Sequence, residues 1–393
     1  MQTELFTYND ALEHVLDSMD IDRSSRGLRQ ARRAVQRAYR DFPMKFNWAS
    51  YWTRGQITTV EADLTGTVTY TQSNRELTLS GGTWPSWITY GRVLINRVTY
   101  EVDQLISSTV ITLSVNSNPG ADISTATSFI AYQDAYLLPV DCQRVKQVLD
   151  VLGLYYPEYV TMEEYLQRNR GWITPSVPTL YSFAGHPKFY GSLAIYFAPP
   201  PAPGQARTYD FIYQRKPRPM AIDNYNTGTV SVTNATTAVT GANTVFPPNC
   251  VGSLIRFSAD GQNLPTSVFG SLTGEDNPYF AQRVITAWTD ATHVTIDQPA
   301  DANVSLSNVL YTISDPVDIE DGAMFTYFLR MCELEFARIT NREDRDEKEQ
   351  VADKAFREAM AADARNDATS AEGVSRRDSI THLRDLGRVI PNG

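Results

Sequence analysis

The residues of this chain that could do chemistry are few and dispersed. Its four histidines, His14, His186, His293 and His382, stand singly in unrelated contexts, so a multi-histidine metal site is not expected. The three cysteines, Cys142, Cys250 and Cys332, are odd in number, far apart and without Cys-x-x-Cys spacing. They indicate neither a disulfide framework nor a zinc site, and a reducing compartment is the expectation. There is no Gly-x-Ser-x-Gly elbow, no phosphate-binding Gly-x-x-x-x-Gly-Lys-Ser/Thr, no Gly-x-Gly-x-x-Gly after a strand and no His-Glu-x-x-His. His186, in Ala-Gly-His-Pro-Lys, reads as a turn histidine. Glu163-Glu164, and Asp134 with Asp141, read as surface or cap carboxylates. Two carboxylates brought to the right separation by a fold could serve a glycosidase, and spacing alone leaves that open. The expectation is a non-enzyme with no catalytic, cofactor-binding or metal residues and no cofactor.

What does recur is arginine. Seven lie between Arg23 and Arg40, and Arg26, Arg29, Arg33, Arg37 and Arg40 fall off the apolar stripe of a helix carrying Leu28, Ala31, Val35, Ala38 and Tyr39. Such a face is either solvated and paired with nearby acids, or a basic surface for an acidic partner or DNA phosphate. A second charged set lies at the C-terminus: Arg376, Arg377, Arg384 and Arg388 among Ile380, Leu383, Leu386, Val389 and Ile390. No core could accept that stretch as written, so it is a frayed tail or an arm that orders on a partner.

These groups have to be placed by the elements around them. At 393 residues, with 42% hydrophobic and 20% charged residues, the chain has room for two or three domains. Its 21 Tyr, 16 Phe and 6 Trp suit large β or interface surfaces. A net charge of −10 argues against a protein that wraps nucleic acid over its whole surface, although an acidic wall can let DNA slide past. The opening Met-Gln-Thr-Glu-Leu-Phe lacks a basic and apolar leader pattern, and no run of about 18 apolar residues occurs. The expectation is a chain neither secreted by a standard signal nor embedded in a membrane.

Thr7-Tyr-Asn-Asp predicts a helix cap, and a second helix begins at Ser24-Ser and stops near Pro43. From Gly66 short alternating strands separated by turn residues predict a small barrel or sandwich, and a similar series returns at Gly228. Gly66-Thr-Val-Thr-Tyr-Thr matches Gly228-Thr-Val-Ser-Val-Thr, Gly91-Arg-Val-Leu-Ile matches Gly252-Ser-Leu-Ile-Arg, and Thr109-Val-Ile-Thr-Leu matches Thr292-His-Val-Thr-Ile. The second series has an extra loop at Ser258–Pro278 that is either a contact or a surface excursion. Between the series, Val145, Val148, Leu149 and Leu152 predict a helix, Met162–Gln167 a short helix, and Gly191–Ala198 with Thr208–Gln214 a hairpin across a proline-rich tip. Helices at Asp318–Ile339 and Glu343–Arg365 follow. The expected fold is α+β: a helical-bundle body interrupted by two related small all-β insertions, with an extended C-terminal arm. Its parts are 1–54 (helix pair), 55–136 (first β module), 137–220 (central helix and hairpin), 221–315 (second β module), 316–366 (C-terminal helices) and 367–393 (arm).

An arginine-rich second helix with its aromatic Trp48…Trp52 exit opens a recognisable series. Leu138-Pro-Val-Asp, Tyr159-Val-Thr-Met-Glu-Glu-Tyr, Gly171-Trp-Ile-Thr-Pro-Ser-Val-Pro-Thr-Leu-Tyr, Leu193-Ala-Ile-Tyr-Phe-Ala-Pro-Pro-Pro and Tyr209-Asp-Phe-Ile-Tyr-Gln-Arg-Lys-Pro-Arg-Pro continue it. This order resembles the head-to-tail adaptor (connector) proteins of tailed, particularly short-tailed, bacteriophages. The Gly-Thr-Val-x-Val-Thr units are similar to β modules of phage virion proteins. The resemblance implies a virion protein at the head-tail junction, assembled in the host cytoplasm. Copies would form a homo-oligomeric ring, usually twelve-fold, between portal protein and tail nozzle or tube, in transient contact with viral DNA and without a membrane. Residues 376–390 would dock on the portal, and the arginines of the second helix would lie at a subunit or ring interface. The competing readings are a tail nozzle or tube component and a carbohydrate-binding virion protein, the latter favoured if Trp84, Trp87, Tyr90 and Trp288 share one exposed concave face. A DNA-binding regulator is disfavoured by the acidic balance.

Overall fold

The computed structural model describes residues 5–169, 173–259, 261–267, 279–319 and 322–370, with side chains to 364 in the last helix. The chain divides into two compact units, one made of Trp52–Lys216 and the other of Met1–Tyr51 with Pro217–Gly393. Helix α1 (Tyr8–Ser18) starts on a reciprocal cap: the Thr7 hydroxyl accepts from the Asp10 amide, and the Asp10 carboxylate accepts from the Thr7 amide at 2.8 Å. Two otherwise orphaned donors are satisfied this way. Ser24 caps α2 (Ser25–Lys45) by accepting from the Gly27 amide at 3.3 Å. As expected, this helix ends near Pro43, two residues beyond it at Lys45.

The unit Trp52–Lys216 is built of strands with one short helix. After β1 (Trp52–Thr58) come β2 (Thr67–Thr71), β3 (Glu76–Ser80), β4 (Arg92–Ile95), β5 (Val98–Ser107), β6 (Val110–Leu113), β7 (Ile123–Thr127) and β8 (Phe129–Tyr132). These last seven form one sheet in the order β7-β2-β3-β6-β5-β4-β8. Alternating burial along them puts Val68, Tyr70, Leu77, Val93 and Ile111 into one core. Then follow β9 (Ala135–Leu137), β10 (Cys142–Asp150), β11 (Glu158–Tyr159), α3 (Met162–Arg168), β12 (Leu180–Gly185), β13 (Leu193–Ala198) and β14 (Thr208–Arg215). They make two sheets, β1-β14-β10 and β11-β12-β13-β9. The two share a core of Tyr136, Ile195, Phe197, Tyr209 and Phe211, with Phe197 stacked on Tyr209 at 4.5 Å. Tyr165 of α3 packs with Ala194 and Tyr196 in a separate small core.

The other unit resumes with β15 (Thr229–Val232), β16 (Ala238–Ala242), β17 (Leu254–Phe257), β18 (Ala281–Asp290), β19 (His293–Ile296), β20 (Leu306–Val309) and β21 (Tyr311–Ser314). Their order, β20-β15-β16-β19-β18-β17-β21, is that of the first seven-stranded sheet strand for strand. The irregularities repeat as well. β5 shifts register against β6 at Val102/Gln104 and Leu105/Ser107, and β18 shifts against β19 at Ile285/Ala287 and Trp288/Asp290. Gly66 and Gly228 precede corresponding strands with φ of +94° and +82°, each where a Cβ would strike the backbone of the facing strand. Strand register aligns Arg92–Ile95 with Leu254–Phe257, which moves the match of Gly91 with Gly252 by one residue. The modules differ after the third strand. β4 and β5 are joined by Asn96-Arg97, both at positive φ, whereas β17 and β18 are joined by a long loop of which 260 and 268–278 lie outside the described residues. Helices α4 (Ala323–Thr340) and α5 (Arg345–Ser370) follow. Phe325, Phe328, Cys332 and Phe336 of α4 pack with Leu12 and Val15 of α1 and with Val35, Tyr39 and Phe42 of α2. No described helix is long and apolar enough to cross a membrane.

The expected helical body with small β insertions is therefore incorrect: among the described residues four sheets and twenty-one strands predominate over five helices. The error lies in the centre. The predicted helix at Val145–Leu152 is strand β10, whose ladder with β14 shifts at Cys142/Arg144 and Val145/Gln147. Two bulges turn a period of two into a spacing of three, so that the inward residues Cys142, Val145 and Val148 mimic a helix. The predicted hairpin of β13 with β14 is also absent. The proline-rich segment carries the chain from one sheet to another, and β13 pairs with β12 and β9 while β14 pairs with β1 and β10.

Candidate functional site

The arginines of α2 divide by what they touch. Arg23 is bound by Glu13 at 2.6 Å and Asp17 at 3.4 Å, and Arg32 by Asp223. Arg40 lies 3.6 Å from Asp41. Arg26, Arg29, Arg33 and Arg37 are exposed and make no hydrogen bond or ion pair among the described residues. The core face of α2 carries Ala31, Val35, Ala38 and Phe42, so residues 26, 29, 33, 37 and 40, three or four apart, form a row on the opposite face. At a rise of about 1.5 Å per residue that row is roughly 20 Å long. An exposed row in which four of the five guanidinium groups have no ion-pair partner among the described residues, on a chain of net charge −10, is suited to a carboxylate or phosphate surface, each head offering two parallel donors.

Beside the end of α2, helices α4 and α5 enclose a groove of about 210 Å³. Tyr327, Met331, Leu334 and Phe356 form its apolar lining; Asp41, Glu335, Glu349 and Asp353 supply carboxylates and Lys45 and Arg338 cations. Arg338 is committed to Glu335 at 2.8 Å and Glu349 at 2.9 Å. Asp353 has no ion-pair partner among the described residues.

Other ionisable clusters have structural partners. Arg256, on β17, is 1% exposed and Asp10 is 0% exposed. The guanidinium meets the Asp10 carboxylate at 2.7 Å, donates to Gln282 at 2.8 Å and to the Leu5 carbonyl at 2.9 Å, and lies 4.7 Å from the Tyr279 ring. It thereby fastens the α1 cap to the second β module. Asp315, at that module's exit, accepts from the Ala221 and Ile222 amides at 2.6 and 2.7 Å and from the Ser253 hydroxyl at 2.7 Å. Neither node was found from sequence; the one available signal was an arginine inside the apolar run Leu254-Ile-Arg-Phe. In the other unit, Arg92 and the buried Asp134 lie 3.4 Å apart in a cavity of about 310 Å³ that the buried Tyr132 and Tyr165 also line. Burial pushes the Asp134 carboxyl up, and the Arg92 charge opposes it. Asp150 accepts from the Leu152, Leu154 and Tyr155 amides at 3.2 to 3.3 Å, shaping a turn that exposes Leu152, Leu154 and Tyr156.

The remaining candidates are not brought together. His14 contacts Glu333 at 3.0 Å, His186 accepts from the Lys188 amide at 3.1 Å, and His293 contacts Asp290 at 2.9 Å. Cys142, Cys250 and Cys332 are buried and free. Glu164 pairs with Arg168 on α3. Among the described residues no three His, Cys, Asp or Glu side chains converge as a metal site. Trp84 is buried in the first module's core, Trp87 packs against that core, and the exposed Trp288 donates its indole N–H to the Phe246 carbonyl at 2.9 Å. Tyr90 is exposed and lies 5.8 Å from Phe189. Residues 376–390, including Arg376, Arg377, Ile380, Leu383, Arg384, Leu386, Arg388, Val389 and Ile390, lie outside the described residues. No protein-family model matches the chain, and no curated protein matches it.

Proposed function

We propose that the chain is a structural, non-catalytic virion protein of a tailed bacteriophage. Its copies form a ring that joins the portal of the head to the tail nozzle and surrounds the DNA passage. The observation that carries this reading is the row Arg26, Arg29, Arg33 and Arg37, four exposed cations without ion-pair partners among the described residues of an acidic chain. On this reading they lie between subunits or rings, where repeated modest contacts add up to firm attachment. The acidic balance suits a passage wall past which DNA slides without adhering. Two β modules of one topology supply lateral or axial faces, and residues 376–390 dock on the portal.

The test is the mass of the purified full chain, alone and mixed with portal rings, by native mass spectrometry. Copies that add to the portal at one fixed ring stoichiometry are expected. A chain that remains monomeric with portal present, or closes into a small trimer, would overturn the reading. Removing residues 369–393 is expected to abolish attachment to the portal, and undiminished attachment would refute the docking assigned to that segment.

A further inference from the structure

The ring reading leaves open what the arginine row of α2 meets. Resting on that reading, we infer that the row of one copy seats in the acid-edged groove between α4 and α5 of the next copy. The groove carries four carboxylates against two cations, and one of those cations, Arg338, is already held by Glu335 and Glu349. Asp353 has no ion-pair partner among the described residues, and Asp41 meets only Arg40, at 3.6 Å. Between these carboxylates lie Tyr327, Met331, Leu334 and Phe356. That combination fits an arginine as a whole: the aliphatic stem lies on the apolar floor and the guanidinium reaches a carboxylate at the edge.

The row supplies several such side chains at helical spacing from a single rigid element. Exposed Met44 continues it by one further turn beyond Arg40. The two surfaces are different patches of the same unit, so their pairing between copies is head-to-tail. A head-to-tail contact either closes a ring or propagates, whereas a self-complementary patch would stop at a dimer. A nucleic-acid backbone is the alternative occupant of the row, but it would leave the groove's carboxylates and apolar floor without a role.

Charge exchange tests the pairing. Assembly of the full chain, alone and on portal rings, would be followed by sedimentation velocity. One variant carries Arg29→Glu, Arg33→Glu and Arg37→Glu, a second carries Asp41→Arg and Asp353→Arg, and their equimolar mixture completes the set. A milder variant with glutamine at the three arginines checks that loss does not come from misfolding, as do unchanged thermal melts. Each variant alone should assemble at least about tenfold more weakly than the natural chain, and about 1 M salt should weaken the natural chain in the same direction. The mixture should recover assembly, because every contact between unlike copies is again between opposite charges. If the arginine variant assembles like the natural chain, or if mixing restores nothing, the pairing is wrong while the ring stands. If the natural chain itself never gains mass, with or without portal, the ring reading fails and takes the pairing with it.

Discussion

Arg256 shows how a single residue can decide a junction. A guanidinium taken out of water loses its solvation, and here Asp10, Gln282, Thr7, the Leu5 carbonyl and the Tyr279 ring replace it. Its counterpart in the first module is the uncharged Leu94. The charge is therefore specific to the junction and foreign to the β module as such. Replacing Arg256 with methionine would strand a buried carboxylate, and a loss of about 3–5 kcal/mol in urea unfolding is expected. Asp10→Asn should cost a comparable amount, and the double variant less than the sum of the two. Additive losses would show that the two groups do not act as a pair.

At the scale of elements, Glu333 of α4 gathers its neighbours. His14 on α1 lies at 3.0 Å, Arg330 at 2.6 Å and Lys348 on α5 at 2.9 Å. Burial alone would raise this carboxyl. The hydrogen bonds from His14 and Lys348 and the charges of Arg330 and Lys348 outweigh burial and hold it at about 2. An unfolded glutamate titrates near ~4.3. Because the folded value is the lower, the stabilisation is complete above the unfolded value and disappears as pH falls from about 4 to about 2. It amounts to roughly 3 kcal/mol. Glu333→Gln should flatten the acid limb of stability against pH by that amount, and an unchanged limb would exclude Glu333 as its source. Helices α1, α2 and α4 were legible in sequence from the Thr7 cap, the second cap at Ser24 and the wide apolar face of α4. The strands of both modules were legible from alternation and turn residues. β10 was not, since its two bulges imitate helical spacing, and the partners of β13 and β14 were not, since proximity in sequence says nothing of which sheet a strand joins. The arginine row could be seen from spacing; the groove could not, because its edge combines Asp41 with residues hundreds of positions away.

For the molecule as a whole, the connectivity matters most. Residues 52–216 form one compact unit, and their first and last strands are paired, Trp52 opposite Gln214. The two ends of this inserted unit are therefore neighbours. Joining Tyr51 to Pro217 through a short glycine-serine linker should accordingly leave a protein that unfolds cooperatively, with its aromatic circular dichroism retained. Loss of the cooperative transition would mean that the discontinuous unit depends on its insertion. The same connectivity imposes an order on biosynthesis. When α1 and α2 leave the ribosome, α4, which covers Val15, Val35 and Phe42, does not yet exist. At translation rates of about 5–20 residues per second, the first helices wait on the order of tens of seconds with their apolar sides uncovered. The inserted unit can fold completely within that interval, so each newly made chain passes through a period in which one unit is finished while the apolar helix faces of the other are still uncovered.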